Sequence, residues 1–255
     1  MSKVGEMTTK KYIEDLQLKL GNNNVRNNLV RKYYVPDLPL KNKKNVKFIF
    51  VLESPHIDEI WYDISSRENK KTLKERYPAA GLTGLLMTAE LAQNNCIEID
   101  GLNFSPLGTL LSNTIDNKTR LDEFGIINIS NIPLQAGPYI KKKKRKSFIK
   151  SLKRIRNSAK RKYSILKLQK ETDKETYEAL KDHFLSRLSD YNDNAIVIPC
   201  GRIALNFVKK ENVSIPEVFD SEELIVKHPT NREEWGWTLP QEVVDLINPK
   251  TGKKK

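Results

Sequence analysis

Four short apolar runs constrain the fold of this chain more than any other feature. They are residues 47–52 (KFIFVL), 125–129 (GIINI), 195–199 (AIVIP) and 224–227 (LIVK). Each is apolar without a clean polar alternation, as expected of a strand buried on both faces. Around them, apolar residues recur at helical spacing. One such stretch, 9–20, precedes the first run. Others carry Leu82, Leu85, Leu86, Ala89 and Ala92; then Tyr177, Leu180, Phe184 and Leu188; then Ile203, Ala204, Phe207 and Val208. A last helix, with Val243, Val244 and Ile247, is expected to start near Pro240. Strands alternating with helices predict an α/β protein, a three-layer α/β/α sandwich around a central, mainly parallel four-stranded sheet. Residues 21–28 and 36–45 read as loops, and no internal repeat is visible. A single domain over 1–255 is expected, with a basic insertion at about 139–170 and a frayed basic tail at 249–255.

The charge identifies that insertion. The chain carries a formal net charge of +13, and residues 141–162 hold 13 Lys/Arg with no acid. Taking those 13 from the total of 45 leaves 32 basic residues against 32 acidic ones, so the rest of the chain is formally neutral. The window opens with Lys141, Lys142, Lys143, Lys144, Arg145 and Lys146, and continues into a stripe of Phe148, Leu152, Ile155, Ala159, Tyr163 and Leu166. Steps of three and four predict an amphipathic helix that docks one face and displays charge on the other. A concentrated basic surface suits phosphates, the main source of sequence-independent nucleic-acid affinity. A solvated insertion and a membrane-surface helix are the rivals; the stripe lacks the Trp that would favour the latter.

Several classes are set aside. No run of about 18 apolar residues is present, so no membrane span is expected. The N-terminus has no apolar leader, and Cys96 and Cys200 cannot build a disulfide framework or a four-cysteine metal site. A cytoplasmic monomer is therefore expected. No P-loop or dinucleotide glycine fingerprint appears, so no nucleotide cofactor is expected. The three histidines and two cysteines lack ligand spacing, and no metal is expected.

In a parallel sheet, ligands bind outside the carboxyl ends of the strands. The first run is followed by Glu53, Ser54, Pro55, His56, Ile57, Asp58 and Glu59; the second contains Asn128 and is followed by Ser130 and Asn131. The third is followed by Cys200, Gly201 and Arg202, and the fourth by His228, Pro229, Thr230, Asn231 and Arg232. Two of the three histidines fall here; His183, on a helix, reads as a surface or packing residue.

This series of motifs resembles the uracil-DNA glycosylase superfamily. Leu52-Glu53-Ser54-Pro55-His56 matches the loop after its first strand, and Ile127-Asn128 its base-pairing Asn. Residues 197–204 match its apolar strand ending in Gly before a helix, His228-Pro229-Thr230 its His-Pro-Ser loop, and residues 81–86 its Gly-rich helix start. The resemblance covers about residues 46–247. It implies a monofunctional enzyme that flips a nucleotide out of DNA and hydrolyses its N-glycosidic bond. Extrusion costs a few kcal/mol, and the oxocarbenium-like sugar and departing base need a carboxylate and hydrogen-bond donors. On the resemblance, Glu53 supplies the carboxylate, His228 donates to the base, and Asn128 reads a pyrimidine edge. Each has a structural rival: a helix-dipole acid for Glu53, a turn-closing Asn128, a carbonyl-bonded His228. Asp58 and Glu59 fit the dipole role better.

Departures from the family pattern bear on the substrate. The leading Gly is Leu52, and the water-positioning Asp of one branch is Ser54, leaving Glu53 as the acid. The iron–sulfur branch uses four cysteines, which this chain lacks. Its stacking Phe corresponds to Ala79, and a Tyr that blocks C5 substituents corresponds to His56. With Ser54, Pro55, His56, Ala79 and Asn128 as the base pocket, these changes imply an enlarged site for a bulky C5-modified pyrimidine, such as glucosylated hydroxymethylcytosine of phage DNA, and so an antiviral role. Uracil excision in base excision repair and a catalytically inactive DNA-binding module of the same fold are the alternatives. The expected DNA contacts are the 141–146 block with Arg202, Thr230, Asn231 and Arg232; Arg232, Trp235 or Trp237 could act as the duplex wedge. A serine hydrolase built on Ser54 is disfavoured because no Gly-x-Ser-x-Gly elbow is present.

Overall fold

The computed structural model describes residues 35, 37–38, 40, 42–55, 77–99, 104–113, 120–134, 147–160, 168, 170–220, 226–227 and 237–249. Within them the architecture is α/β. Strands β1 (Phe48–Leu52), β2 (Phe124–Asn128) and β3 (Ile196–Pro199) form a parallel sheet in the order β2-β1-β3. The central strand pairs Leu52 with Asn128 on one side and Val51 with Pro199 on the other. The described helices are α1 (Leu82–Gln93), α2 (Leu107–Asn113), α3 (Ser147–Ala159), α4 (Glu171–Leu188), α5 (Arg202–Lys210) and α6 (Gln241–Ile247).

Side chains alternate across a strand, and that alternation sorts the core into two layers. Phe48, Phe50 and Leu52 pack with Met87 and Leu91 of α1, Leu107 and Leu111 of α2, and Val243, Val244 and Ile247 of α6. Ile49 and Val51 pack with Leu152 and Ile155 of α3, Tyr177, Leu180 and Phe184 of α4, and Ala204 and Phe207 of α5. Both faces of β1 are covered, which is why its sequence shows no polar alternation. Burying each such side chain contributes about 1.5–3 kcal/mol.

The helix expected in the basic window is α3, and it docks through Leu152, Ile155 and Ala159, each 2–3% exposed. Asn206 of α5 donates to the Ala159 carbonyl at 2.8 Å, tying down the carboxyl end of α3. Trp237 is a core anchor rather than a wedge: it is buried, meets Phe50 edge-on at 6.0 Å, and donates to the Lys227 carbonyl at 2.8 Å.

Two outcomes differ from the sequence reading. Helix α2 was not foreseen, since seven residues give barely two turns of pattern. Of the expected fourth strand, Val226 and Lys227 are described and lie outside the three-stranded sheet, although the Val226 carbonyl accepts the Gly201 N–H at 2.7 Å. Leu224, Ile225, the helix expected at 9–20 and the tail from 250 onward lie outside the described residues.

Candidate functional site

Strand order places the site. β1 leads to β2 on one side, and β3 lies on the other, so the order reverses at the carboxyl ends of β1 and β3. Crevices at such reversals are where open α/β sheets bind ligands. The loops there are stitched together by backbone bonds: Ile129 N–H to the Leu52 carbonyl (2.9 Å), Ser130 N–H to the Glu53 carbonyl (3.2 Å) and Cys200 N–H to the Val51 carbonyl (2.8 Å).

Glu53 is the first residue past β1. Continuing the alternation of Ile49 and Val51, it faces the layer that contains α3. There Arg156 Nε donates to Glu53 Oε1 at 2.5 Å and Arg156 Nη2 to Oε2 at 3.3 Å. Both side chains are largely enclosed, Glu53 at 8% and Arg156 at 17% exposure. The fork engages one lone pair on each carboxylate oxygen and leaves the others able to accept. Arg156 was not among the expected site residues. Its signal was its position, four residues after Leu152 and three before Ala159, beside the docking stripe.

Asn128 ends β2 and shares the register of Leu52. It is 1% exposed, and among the described residues neither Nδ2 nor Oδ1 finds a hydrogen-bond partner. An unpaired buried amide costs about 1–3 kcal/mol and calls for an explanation. The backbone around it is held firmly. Arg187 Nη2 donates to the carbonyls of Asn128 (2.7 Å) and Ile129 (3.0 Å), and Arg187 Nη1 to Asp37 Oδ1 (2.7 Å). Arg187 also went unforeseen. It lies on the Leu180–Phe184 stripe of α4, where a charge implies a buried partner.

The remaining candidates divide. Ser54 Oγ accepts the Leu134 N–H at 3.2 Å, so its hydroxyl holds the loop after β2. Pro55 is buried beside it in sequence. Ala79 is fully enclosed, with φ of 55°, and its carbonyl accepts the Gly108 N–H at 3.1 Å. A Cβ on Gly84 would stand 1.7 Å from that carbonyl oxygen, which is why α1 carries Gly there. No open space reaches Ala79, so an enlarged base pocket at that wall would have to be opened by moving its neighbours. Arg202 is exposed at the first turn of α5, after Gly201, whose φ of 90° favours glycine. His56, His228, Thr230, Asn231, Arg232 and Trp235 lie outside the described residues, as do Asp58, Glu59 and the block from Lys141 to Lys146.

His183 is a packing residue. It is 3% exposed, and burial, aided by the nearby Arg187 charge, pushes its imidazole down to about 2. Hydrogen bonds from Arg154 at 2.5 Å hold the Asp173 carboxyl below the ordinary range, fastening α3 to α4. Burial pushes the Cys96 thiol up to about 11 and raises that of Cys200 as well. Among the described residues, no group of three or more His, Cys, Asp or Glu could hold a metal ion, and no helix is long and apolar enough to cross a membrane. A cavity of about 640 Å³ lies at the opposite, amino end of β3, between Leu188, Asn192, Val213 and Ile215. It contains none of the candidate residues.

Compared with known proteins, the chain matches no family model, no curated protein and no solved structure.

Proposed function

We propose that this chain is a DNA glycosylase that extrudes a pyrimidine nucleotide and hydrolyses its N-glycosidic bond, leaving an abasic site. The observation that carries the reading is Asn128, a buried amide with donor and acceptor both unpaired, on the strand end adjacent to the one bearing Glu53. Such an amide matches the edge of a pyrimidine, which presents an acceptor beside a donor. Glu53 and Asn128 lean toward opposite layers from neighbouring strands, about 4.8 Å apart. A nucleotide seated over the strand ends can then meet a carboxylate on its sugar side and an amide on its base side. In this reading His228 donates to the departing base, the chain around Val226 completes a fourth strand beside β3, and DNA is held by the 141–146 block, Arg202, Thr230, Asn231 and Arg232. The enzyme works as a cytoplasmic monomer without metal or nucleotide cofactor.

The sharper form of the reading takes a bulky C5-modified pyrimidine as substrate, on the departures from the family pattern at His56 and Ala79, and requires the neighbours of the enclosed Ala79 to move; antiviral defence is the role, and plain uracil in repair is its alternative. Duplexes containing uracil, hydroxymethyluracil or glucosylated hydroxymethylcytosine, assayed for alkali-labile abasic sites, discriminate them. Release from the glucosylated duplex supports the modified-base form, and release confined to uracil restricts the enzyme to repair. Glu53→Gln is expected to slow release by about 100-fold or more while leaving a measurable residual rate and keeping DNA binding. A second reading, an inactive DNA-binding module, draws on the engagement of Glu53 by Arg156 and of Ser54 by Leu134. DNA binding with no abasic sites on any duplex would favour it.

A further inference from the structure

Resting on the glycosylase reading, we propose that Arg156 is a positioning residue for Glu53, which makes α3 part of the catalytic machinery as well as of the DNA-holding insertion. Docking of α3 does not require this contact. Leu152, Ile155 and Ala159 already bury its apolar stripe, Arg154 pairs with Asp173 on α4, and Asn206 holds its last carbonyl. A buried ion pair adds little net stability over an apolar pair of similar size, so anchoring alone is a weak reason for one here. What the pair does supply is orientation. Two parallel N–H donors of one guanidinium reach the two oxygens of one carboxylate, fixing both its plane and its torsion. The carboxylate held this way is the first residue past the central strand, at the reversal of strand order. The fork leaves the other lone pairs of the carboxylate unused by Arg156. Arg156 acts through Glu53 and is given no contact with substrate.

A double-mutant cycle tests the assignment, with single-turnover base release, DNA affinity and melting temperature measured for each variant on a duplex that the wild type cleaves. Lys keeps the charge but not the fork, so Arg156→Lys is expected to melt near the wild type, bind DNA within about threefold of it, and release base up to about 100-fold more slowly, the scale of a misplaced catalytic group. In the Glu53→Gln background, Arg156→Gln removes the second charge as well and leaves no buried ion unpaired. If Arg156 works through Glu53, this second change slows release no further than Glu53→Gln alone. Release at the wild-type rate by Arg156→Lys overturns the proposal, as does an additional loss in the Glu53→Gln background. A wild-type protein that releases no base from any duplex of the panel overturns both this proposal and the glycosylase reading, whereas a cleaving wild type with an indifferent Arg156 overturns this one alone.

Discussion

Burying Asn128 with neither amide atom paired costs stability that an apolar side chain of similar volume would not lose. That asymmetry separates a binding role from a turn-closing one. Asn128→Leu is expected to leave the melting temperature unchanged or raise it, while reducing single-turnover base release by at least about 100-fold, the usual cost of one lost donor at a reacting group. A fall of several degrees in melting temperature would instead show that the amide serves the fold. The residue type and its place at the end of an apolar run were readable from the chain. Its burial and its lack of a partner were not, because they depend on neighbours distant in the chain, such as Leu52 beside it in the sheet.

On the proposed reading, helix α3 would combine two functions on one element. Its inner face is committed to the core through Leu152, Ile155 and Ala159, and the basic block precedes it in sequence. Replacing Lys141, Lys142, Lys143, Lys144, Arg145 and Lys146 by Gln is therefore expected to leave the helix formed, as read by far-UV circular dichroism. It should weaken binding to duplexes of any sequence and flatten the dependence of log affinity on log salt by about 0.9 per lost phosphate contact. An unchanged salt slope would take the block out of the interface. The helix and its docking stripe follow from the spacing of Leu152, Ile155 and Ala159. The role of Arg156 does not, because its partner lies 103 residues earlier and spacing within a helix carries no information about a distant strand end.

For the whole molecule, acid stability follows from the buried titratable groups. The His183 imidazole is held down to about 2 in the folded protein, against about 6.5 when unfolded. Below pH 6.5 the unfolded chain takes up a proton that the native state refuses, so stability falls with pH by up to about 1.4 kcal/mol per unit. Asp173 adds a later stage. Its folded value lies below the 3.8 of a free aspartic acid, so its contribution is full above that pH and is lost as pH falls through the folded value. Melting temperature is expected to decline from about pH 6 downward and more steeply below about pH 4. His183→Gln should flatten the first stage; an unaltered decline would assign it to other groups. The sequence by itself determined the α/β class, the three strands β1, β2 and β3 to within a residue, the described helices other than α2, and the clustering of Glu53 and Asn128 at strand ends. Those features follow from periodicity and from the burial of both faces of a parallel sheet, which are local and repeat along the chain. Only the tertiary structure decided that Glu53 is clasped by Arg156, that Asn128 is buried with its amide unpaired, that Ser54 secures a loop, and that Trp237 and His183 belong to the core. Those outcomes depend on which side chains meet across the sheet, and meetings between distant parts of the chain are set by three-dimensional packing.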